Sequence, residues 1–266
     1  SNTYGQLGDG TTTHRNTPVT VTGLSGVTQI GVGSRHACAV LANGTVKCWG
    51  YNKDGQLGDG TTTNRSTPVT VTGLSGVTQV SMSLQHTCAV LTNGTVKCWG
   101  LGQLGDGTTT SSSTPVTVTG LSGVTSVSVG RYHTCAVLTN DTVKCWGRNN
   151  YGQVGDGTTT SRSTPVTVTG LSGVTEMGLG EYHTCALLTN GTVKCWGRNG
   201  SEGRLGDGTT TTRSTPVTVT GLSGVTQLSS GDYHTALYSQ TAPSSAGGAA
   251  TAAFWVTEQR VTERPP

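Results

Sequence analysis

One unit of about fifty residues recurs five times along this chain of 266 residues, and the repetition constrains the fold more than any other feature. Each copy contains G-Q-L-G-D-G-T-T-T or a close variant, then T-P-V-T-V-T-G-L-S-G-V-T, then a single histidine. Successive repeated histidines are 50, 47, 50 and 51 residues apart. A period of this length predicts a solenoid, a propeller or another array of similar units. The repeated histidines are His36, His86, His133, His183 and His234.

Four short segments in each copy are rich in valine and threonine and have the patterns expected of β-strands. In the first copy they are Pro18–Thr22, Val27–Val32, His36–Leu41 and Thr45–Trp49. Glycine-containing turns separate them, and an Asn-Gly pair is typical of a hairpin tip. No segment shows the periodicity of an amphipathic helix. The sequence therefore predicts an all-β propeller of four-stranded blades.

The copies divide at about residues 1–50, 51–100, 101–147, 148–197 and 198–257. The fifth copy departs from the others after its third predicted strand, His234–Tyr238. Residues 1–238 are expected to form the propeller, followed by a flexible Ala/Ser/Gly loop at 239–251, a closing strand at 252–257 and a loose tail at 258–266. Five whole units without a remainder favour a self-contained five-unit ring over part of a larger one.

Three motifs recur in the same order: the G-Q-L-G-D-G loop, G-x-x-H at the start of the third strand, and N-G-T-V-K-C-W-G at the end of the unit. Over about residues 4–238 this pattern resembles the regulator-of-chromosome-condensation repeat family. The resemblance implies a β-propeller, which in that family usually has seven blades, whereas this chain holds five copies. It also implies that exchange of guanine nucleotide on a small GTPase is one available function.

The composition argues against several classes of protein. Apolar residues make up 32% and charged residues 11% of the chain, with a net charge of +3. No apolar run reaches the roughly 18 residues of a membrane helix, and no signal peptide begins the sequence. Lysine and arginine occur singly, without the basic stripe of a nucleic-acid surface. We therefore expect neither a membrane span nor a nucleic-acid partner.

Eight cysteines form four pairs, one in each of the first four copies, with nine residues between partners. If the hairpin loop has three residues, Cys38 lies opposite Cys48 within reach of a disulfide. If the loop has two residues, the register shifts by one and the cysteines point to opposite faces. The fifth copy lacks both cysteines, and this paired loss favours disulfides over buried thiols. The expected bonds are Cys38–Cys48, Cys88–Cys98, Cys135–Cys145 and Cys185–Cys195.

Four disulfides predict an oxidising compartment, and hence an extracellular or cell-surface location. No catalytic, metal or cofactor site is apparent beside them. Five equivalent histidines supply no asymmetric acid–base group and are expected to form structural hydrogen bonds. One aspartate in each G-D-G loop is too few for calcium and is expected to organise its own turn. The cysteine spacing differs from zinc knuckles, and no helix follows the glycine-rich loop as a dinucleotide site requires.

Two further sets of residues recur in the copies. The tryptophan of each W-G motif is expected to pack between blades, although five tryptophans on one surface would favour sugar binding. Six asparagines begin N-x-S/T sequons, and those at hairpin tips are also favoured there for backbone reasons. They are Asn43, Asn64, Asn93, Asn140, Asn190 and Asn199.

The positions that differ between copies carry the information about function. The pair of residues that directly precedes each repeated histidine varies in charge and aromatic character between copies, while the neighbouring residues are nearly constant. Tyrosine and arginine are favoured at protein interfaces. The variable links after each W-G, including Tyr51–Asp54 and Arg148–Tyr151, are expected to add to the same surface. The predicted partner-binding residues are Arg35, Gln85, Arg131, Tyr132, Glu181, Tyr182, Asp232 and Tyr233.

These observations favour a non-catalytic binding scaffold that presents one propeller face to a protein partner. The first alternative is a guanine-nucleotide exchange factor for a small GTPase, against which oxidised cysteines argue. The second is a carbohydrate-binding propeller with repeated pockets. Drift between recently duplicated copies is the competing explanation for the variable positions, and the fold alone decides none of these questions.

Overall fold

The computed structural model describes residues 1–241 and 250–256, and the secondary structure in these ranges consists of antiparallel β-strands. The strands form five separate sheets, which are the blades. Blade 1 contains β1 (Val27–Val32), β2 (His36–Leu41), β3 (Val46–Gly50) and β4 (Arg65–Thr70). Blade 2 contains β5 (Val77–Met82), β6 (His86–Leu91), β7 (Val96–Gly100) and β8 (Ser112–Thr117).

Blade 3 contains β9 (Val124–Val129), β10 (His133–Leu138), β11 (Val143–Gly147) and β12 (Arg162–Thr167). Blade 4 contains β13 (Val174–Leu179), β14 (His183–Leu188), β15 (Val193–Gly197) and β16 (Arg213–Thr218). Blade 5 has three strands among the described residues, β17 (Val225–Ser230), β18 (Thr235–Thr241) and β19 (Ala250–Val256). No helix long and apolar enough to cross a membrane occurs in these described parts of the chain.

The chain divides into two compact units. The first unit consists of Ser1–Arg148 and Ser161–Val166, and it contains blades 1 to 3. The second unit consists of Asn149–Thr160 and the part of the chain from Thr167 onward, and it contains blades 4 and 5. The loop 149–160, which connects β11 and β12 of blade 3, therefore belongs with the unit that contains blade 4.

The sequence repeat and the blade are out of phase by one strand. The segment predicted as the first strand of each copy instead closes the preceding blade: β4, from the second copy, pairs with β3 through Lys47↔Thr70 and Cys48↔Val69. The prediction of a strand at Pro18–Thr22 was wrong, because none of the described strands pairs with this segment. Repetition fixes the length of a unit but leaves its starting point open.

The cysteine pairing confirms the three-residue hairpin loop. Cys38 pairs directly with Cys48 in the β2–β3 register, and Val40 pairs with Val46. All four predicted disulfides are formed, with Cα–Cα distances of 4.0–4.1 Å, and their cysteines are fully buried. Each disulfide therefore joins the two central strands of its blade.

Apolar side chains fill the space between neighbouring blades within each unit. Val40 and Val46 of blade 1 pack in one cluster with Val77, Val80 and Met82 of blade 2. Blades 2 and 3 repeat this arrangement, and blades 4 and 5 form an equivalent cluster. Each valine or leucine buried in this way contributes about 1.5–3 kcal/mol relative to exposure. The blades are therefore stabilised mainly by their contacts with neighbours.

The side chains on β1 are more exposed than those at the equivalent positions of β5. Ile30 and Val32 are 59% and 72% exposed, whereas the equivalent Val80 and Met82 in blade 2 are 4% and 8% exposed. Polar side chains also connect the first strands of neighbouring blades: Gln79 Oε1 of β5 accepts a hydrogen bond from the Val127 amide of β9 at 2.9 Å.

The last hairpin is longer than the sequence predicts. β18 runs to Thr241 and β19 starts at Ala250, with Gln240 opposite Thr251 in the register. The residues at both ends of the predicted loop 239–251 therefore belong to strands, since small and β-branched residues fit a two-stranded ladder. Residues 242–249 and the predicted tail 258–266 lie outside the described residues.

Candidate functional site

The repeated histidines join neighbouring blades. His36 Nε2 lies 2.8 Å from the Thr87 hydroxyl of the next blade, and His86 Nε2 lies 2.8 Å from the Thr134 hydroxyl. In the second unit, His183 Nε2 lies 3.0 Å from the Thr235 hydroxyl. Burial lowers the pKa of His36 to about 3 and that of His86 to about 4. These imidazoles are neutral near pH 7, and the predicted structural role is confirmed.

The aspartates of the G-D-G loops organise their turns, as expected. Asp59 Oδ1 accepts hydrogen bonds from the amide and hydroxyl of Thr61 at 3.0 and 2.7 Å, and Oδ2 pairs with Arg65 at 2.8 Å. Burial raises the pKa of Asp59, but the bonds from Thr61 and Arg65 outweigh it and leave the pKa below its usual value. Within residues 1–241 and 250–256, no group of side chains is arranged to hold a metal ion.

A buried asparagine holds four of the five loops, and the sequence analysis missed it; the loop of Asp106 has no such residue, since Gly102 stands at its position. Asn52 Nδ2 donates to the carbonyls of Thr61 and Thr63 at 3.1 and 3.0 Å, while its Oδ1 accepts from the Leu57 amide at 2.9 Å. Asn2 and Asn199 make the same contacts in their copies. The sequence signal that could have identified this residue is an asparagine that stands two residues after W-G in links whose other residues differ.

The tryptophans lie beneath the same loops and between blades. Trp99 is fully buried among side chains of blades 1 and 2, and its Nε1 donates to the Gln56 carbonyl at 2.9 Å. A Cβ added at Gly58 would lie 2.8 Å from Trp99 Nε1, so the ring occupies the space a larger residue would need. The predicted packing between blades is confirmed for Trp99 and Trp146, whereas the side chain of Trp255 lies outside the described part of the chain.

The variable positions converge at one end of each blade, where its second strand begins and its third strand ends. We call this the histidine end, and the opposite end, at the Asn-Gly or Asn-Asp tip, the hairpin end. Tyr51, directly after W-G, donates its amide to the Arg35 carbonyl at 2.9 Å, and Leu101 bonds Gln85 equivalently at 3.0 Å. A Cβ on Gly50 would lie 3.3 Å from Gln6 Cα, so the start of the G-Q-L-G-D-G loop is the third neighbour.

Side chains at these converging segments form stacked arginine–tyrosine groups. In blade 1, the Arg35 guanidinium carbon lies 5.4 Å from the Tyr4 ring centroid and 5.8 Å from that of Tyr51. The two rings meet edge to face at 4.9 Å. These distances are those of favourable cation–π and aromatic pairs. We call Tyr4, Arg35 and Tyr51 the blade 1 trio.

Blade 4 has the same composition in a different order. Arg198 lies 5.2 Å from the Tyr151 centroid and 5.7 Å from that of Tyr182, and the two rings meet edge to face at 5.0 Å. In blade 1 the arginine precedes the histidine and a tyrosine follows W-G, whereas in blade 4 these two identities are exchanged. Tyr151, Tyr182 and Arg198 are the blade 4 trio.

The remaining blades vary around this arrangement. In blade 3, Arg131 and Arg148 each lie 5.3 Å from the Tyr132 ring centroid. In blade 5, Arg204 lies 5.5 Å from the exposed Tyr233 ring. Blade 2 has no such group, since its three converging positions hold Asp54, Gln85 and Leu101.

Two of the predicted partner-binding residues are acidic, and they differ in exposure. Asp232 is exposed, but Glu181 is only 5% exposed and its amide donates to the Asp232 carbonyl at 2.8 Å. The prediction that Glu181 faces a partner therefore does not suit this arrangement, because the neighbouring loop of blade 5 closes over it. The other predicted residues occupy histidine ends and are half-buried or exposed.

Five antiparallel sheets with interblade histidines and arginine–tyrosine groups at one end of the blades define a β-propeller-type repeat protein. The RCC1-like domain family matches residues 1–252, and the chain belongs to this family. No curated protein sequence matches it.

Three crystal structures resemble the chain. Human WBSCR16 is 24% identical with a TM-score of 0.78, over 91% of this chain and 66% of that one. The CRINKLY WD40 ectodomain of the Arabidopsis thaliana receptor kinase ACR4 is 17% identical with a TM-score of 0.50, over 79% and 60%. Yeast RCC1 (Prp20), bound to Kap60, is 18% identical with a TM-score of 0.48, over 80% and 68%. This chain thus spans less than two thirds of WBSCR16 and of the ectodomain, and the likeness at this identity is one of fold.

Proposed function

We propose that this chain is a non-catalytic binding scaffold of an oxidising, extracellular environment that presents the histidine ends of its blades to a protein partner. The observation that carries this proposal is the exchange of arginine and tyrosine between the blade 1 and blade 4 trios. Independent drift of duplicated copies has no reason to keep two tyrosines and one arginine together when two of the three positions change identity. The same three residue types are retained although two of them have exchanged positions, and this favours selection for the chemistry of the surface.

The chemistry of these groups suits a protein interface. Tyrosine and arginine are the residue types most enriched at energetically important interface positions. Stacking against Arg35 orders the Tyr51 and Tyr4 rings before a partner arrives, which reduces the entropy lost on binding. The interior of each blade is occupied by structural groups, so the histidine ends are where the copies differ in side chains available for contact.

The four disulfides support the proposed compartment. Cysteine pairs of this kind persist where thiols are not kept reduced, as in secreted and cell-surface proteins. The same observation disfavours nucleotide exchange on a cytosolic GTPase, and the buried tryptophans disfavour sugar stacking on those rings. A protein partner is therefore preferred over both alternatives.

The test is capture of the partner by the intact chain from its native extracellular environment, with identification by mass spectrometry. A variant carrying Arg131→Ala, Tyr132→Ala and Tyr182→Ala is expected to lose the captured protein while its melting temperature stays close to that of the wild type. Asn93→Ala at a hairpin end is the matched control and is expected to retain the protein. Equal retention by both variants would place the interface elsewhere.

A further inference from the structure

We propose that the histidine ends of the first unit bind an acidic protein segment, and that an Asp or Glu carboxylate of this segment pairs with the tyrosine-stacked guanidinium of Arg35. This inference rests on the proposed function and specifies the chemistry of the partner. Its first support is the geometry of Arg35. The guanidinium is exposed and has tyrosine rings against it at 5.4 and 5.8 Å. A guanidinium that stacks on a ring uses its face and keeps its in-plane N–H groups for a bidentate acceptor, and the exposure of Arg35 leaves room for one.

The second support is the contrast with other arginines of the chain. Arg15, Arg65 and Arg213 each pair with the aspartate of their own loop at 2.8–3.0 Å. Among residues 1–241 and 250–256, Arg35 has no carboxylate within ion-pair distance, and its contacts are the two rings. The chain thus neutralises its loop arginines and leaves the charge of Arg35 available.

The third support is the distribution of charge within each unit. At the histidine ends of the first unit, the variable segments hold Arg35, Lys53, Arg131 and Arg148 against one acidic residue, Asp54. In the second unit, the corresponding segments hold Arg198 and Arg204 against Glu181, Glu202 and Asp232, and Glu202 already lies 3.5 Å from Arg204. An acidic ligand is therefore attracted to the first unit, which is the surface to which the proposal is confined.

The tyrosines decide between acidic ligands. A phosphate polymer is bound by closely spaced cations along a continuous stripe. Here the cations of the first unit are separated by Tyr4, Tyr51 and Tyr132, and the chain carries only +3 net charge. Alternating aromatic and cationic side chains suit a peptide, because apolar atoms of its side chains can lie on the rings while carboxylates reach the guanidinium edges.

The experiment measures fluorescence anisotropy of a labelled Glu-rich peptide titrated with the full chain. Three comparison ligands are the peptide with Gln in place of every Glu, the same Gln peptide carrying phosphoserines, and a single-stranded oligonucleotide. The Glu-rich peptide is expected to bind best, with an affinity that falls as salt screens the charges. Arg35→Gln is expected to weaken its binding about fivefold or more, as loss of a charge-assisted bidentate pair requires.

Two variants of matched charge keep the result interpretable. Lys97→Gln removes one positive charge from β7 away from the histidine end and is expected to change the affinity less than about twofold, in keeping with screening of distant charges. Arg35→Lys keeps the charge without the planar fork and is expected to recover only part of the binding. Equal effects of Arg35→Gln and Lys97→Gln, or stronger binding of the Gln peptide, the phosphopeptide or the oligonucleotide, would overturn the inference. If those results accompany capture of a partner that still depends on Tyr132 and Tyr182, the proposed function stands and its acidic chemistry fails.

Discussion

Blades 1 and 2 have nearly the same interior and different histidine ends. Both have a central disulfide, a histidine bonded to the next blade at 2.8 Å, and the same amide–carbonyl bond between the link and the residue before the histidine. Blade 1 places Tyr4, Arg35 and Tyr51 on that backbone, whereas blade 2 places Asp54, Gln85 and Leu101 there. The contrast shows that the buried groups hold the backbone of these segments in place, and that the side chains exposed on this backbone can change without altering the blade. Stability and recognition therefore reside in different residues of the same short segments.

The largest effect is expected from Asn52, the buried asparagine of the second sequence copy. Asn52→Ala would leave the Leu57 amide and two loop carbonyls without partners, and each buried unsatisfied group costs about 1–3 kcal/mol. We expect unfolding to be easier by about 3 kcal/mol or more, measured by chemical denaturation. Gln85→Ala, at the variable surface of the same blade, is the control and is expected to change stability by less than about 0.5 kcal/mol. Comparable losses for the two variants would break the division between interior and surface.

The disulfides are expected to come next. Replacing Cys88 and Cys98 together by alanine removes a cross-link of short sequence separation, which costs about 2–3 kcal/mol of stability. The corresponding double replacement of Cys38 and Cys48 in blade 1 should cost a similar amount, because the two hairpins share one register. A thiol assay of the denatured, unreduced chain should find none of the eight cysteines free. Eight free thiols would contradict the disulfide assignment.

The buried histidines predict a pH dependence shared by both blades. Burial lowers the pKa of His36 to about 3 and of His86 to about 4, whereas an unfolded histidine titrates near 6.5. The unfolded chain therefore binds more protons between about pH 6.5 and pH 4, so the stability present near pH 7 is lost as the pH falls through this window. We expect a loss of about 2 kcal/mol per buried histidine by pH 4.5.

His86→Gln sharpens that measurement. A glutamine keeps a polar group near the Thr134 hydroxyl but does not titrate, so the variant should have a weaker dependence of melting temperature on pH than the wild type. Gln85→Ala, which removes no titratable group, provides the control and should leave the pH dependence unchanged. An identical pH profile for His86→Gln and the wild type would show that other groups cause the acid sensitivity.

The smallest effects on stability are expected at the histidine ends themselves. Arg35→Ala removes exposed cation–π contacts, which are worth about 0.5–1 kcal/mol. The reverse change transplants the blade 1 trio into blade 2 with Asp54→Tyr, Gln85→Arg and Leu101→Tyr. This variant should fold normally and bind the Glu-rich peptide more tightly than the wild type, measured by the same anisotropy titration. No gain in affinity would mean that the trio does not act as a transferable group.

Most of the fold follows from the repeat, but two features do not. The disulfide register was predictable, because the alternation of the hairpin and the paired loss of cysteines in the fifth copy both constrain it. The phase of the blade was not, since a repeat has no marked beginning and the closing strand comes from the next copy. Asn52 looked like one residue of a variable link, because its partners lie up to 11 residues away in a loop that only the folded backbone brings near.

The candidate surface was predictable in its positions rather than in its groups. Arg35, Tyr132 and Tyr182 stand out because their neighbours are constant between copies, and the structure places all three at histidine ends. Tyr4 was absent from the predicted surface, because the strand pattern does not show that the start of the G-Q-L-G-D-G loop adjoins the W-G strand, whereas Tyr151 was included through the link Arg148–Tyr151. Glu181 was included by position, but its side chain lies inside.

The most direct test of the account is oxidative footprinting of the chain bound to the protein captured from its native environment. Hydroxyl radicals label exposed tyrosines, so the free chain reports the histidine ends through Tyr4, Tyr51 and Tyr132, while the modified residues at the hairpin ends report the opposite side. The account predicts that binding of the partner protects those three tyrosines and leaves the hairpin ends unchanged. Protection of the hairpin ends, with Tyr4, Tyr51 and Tyr132 labelled as in the free chain, would contradict it.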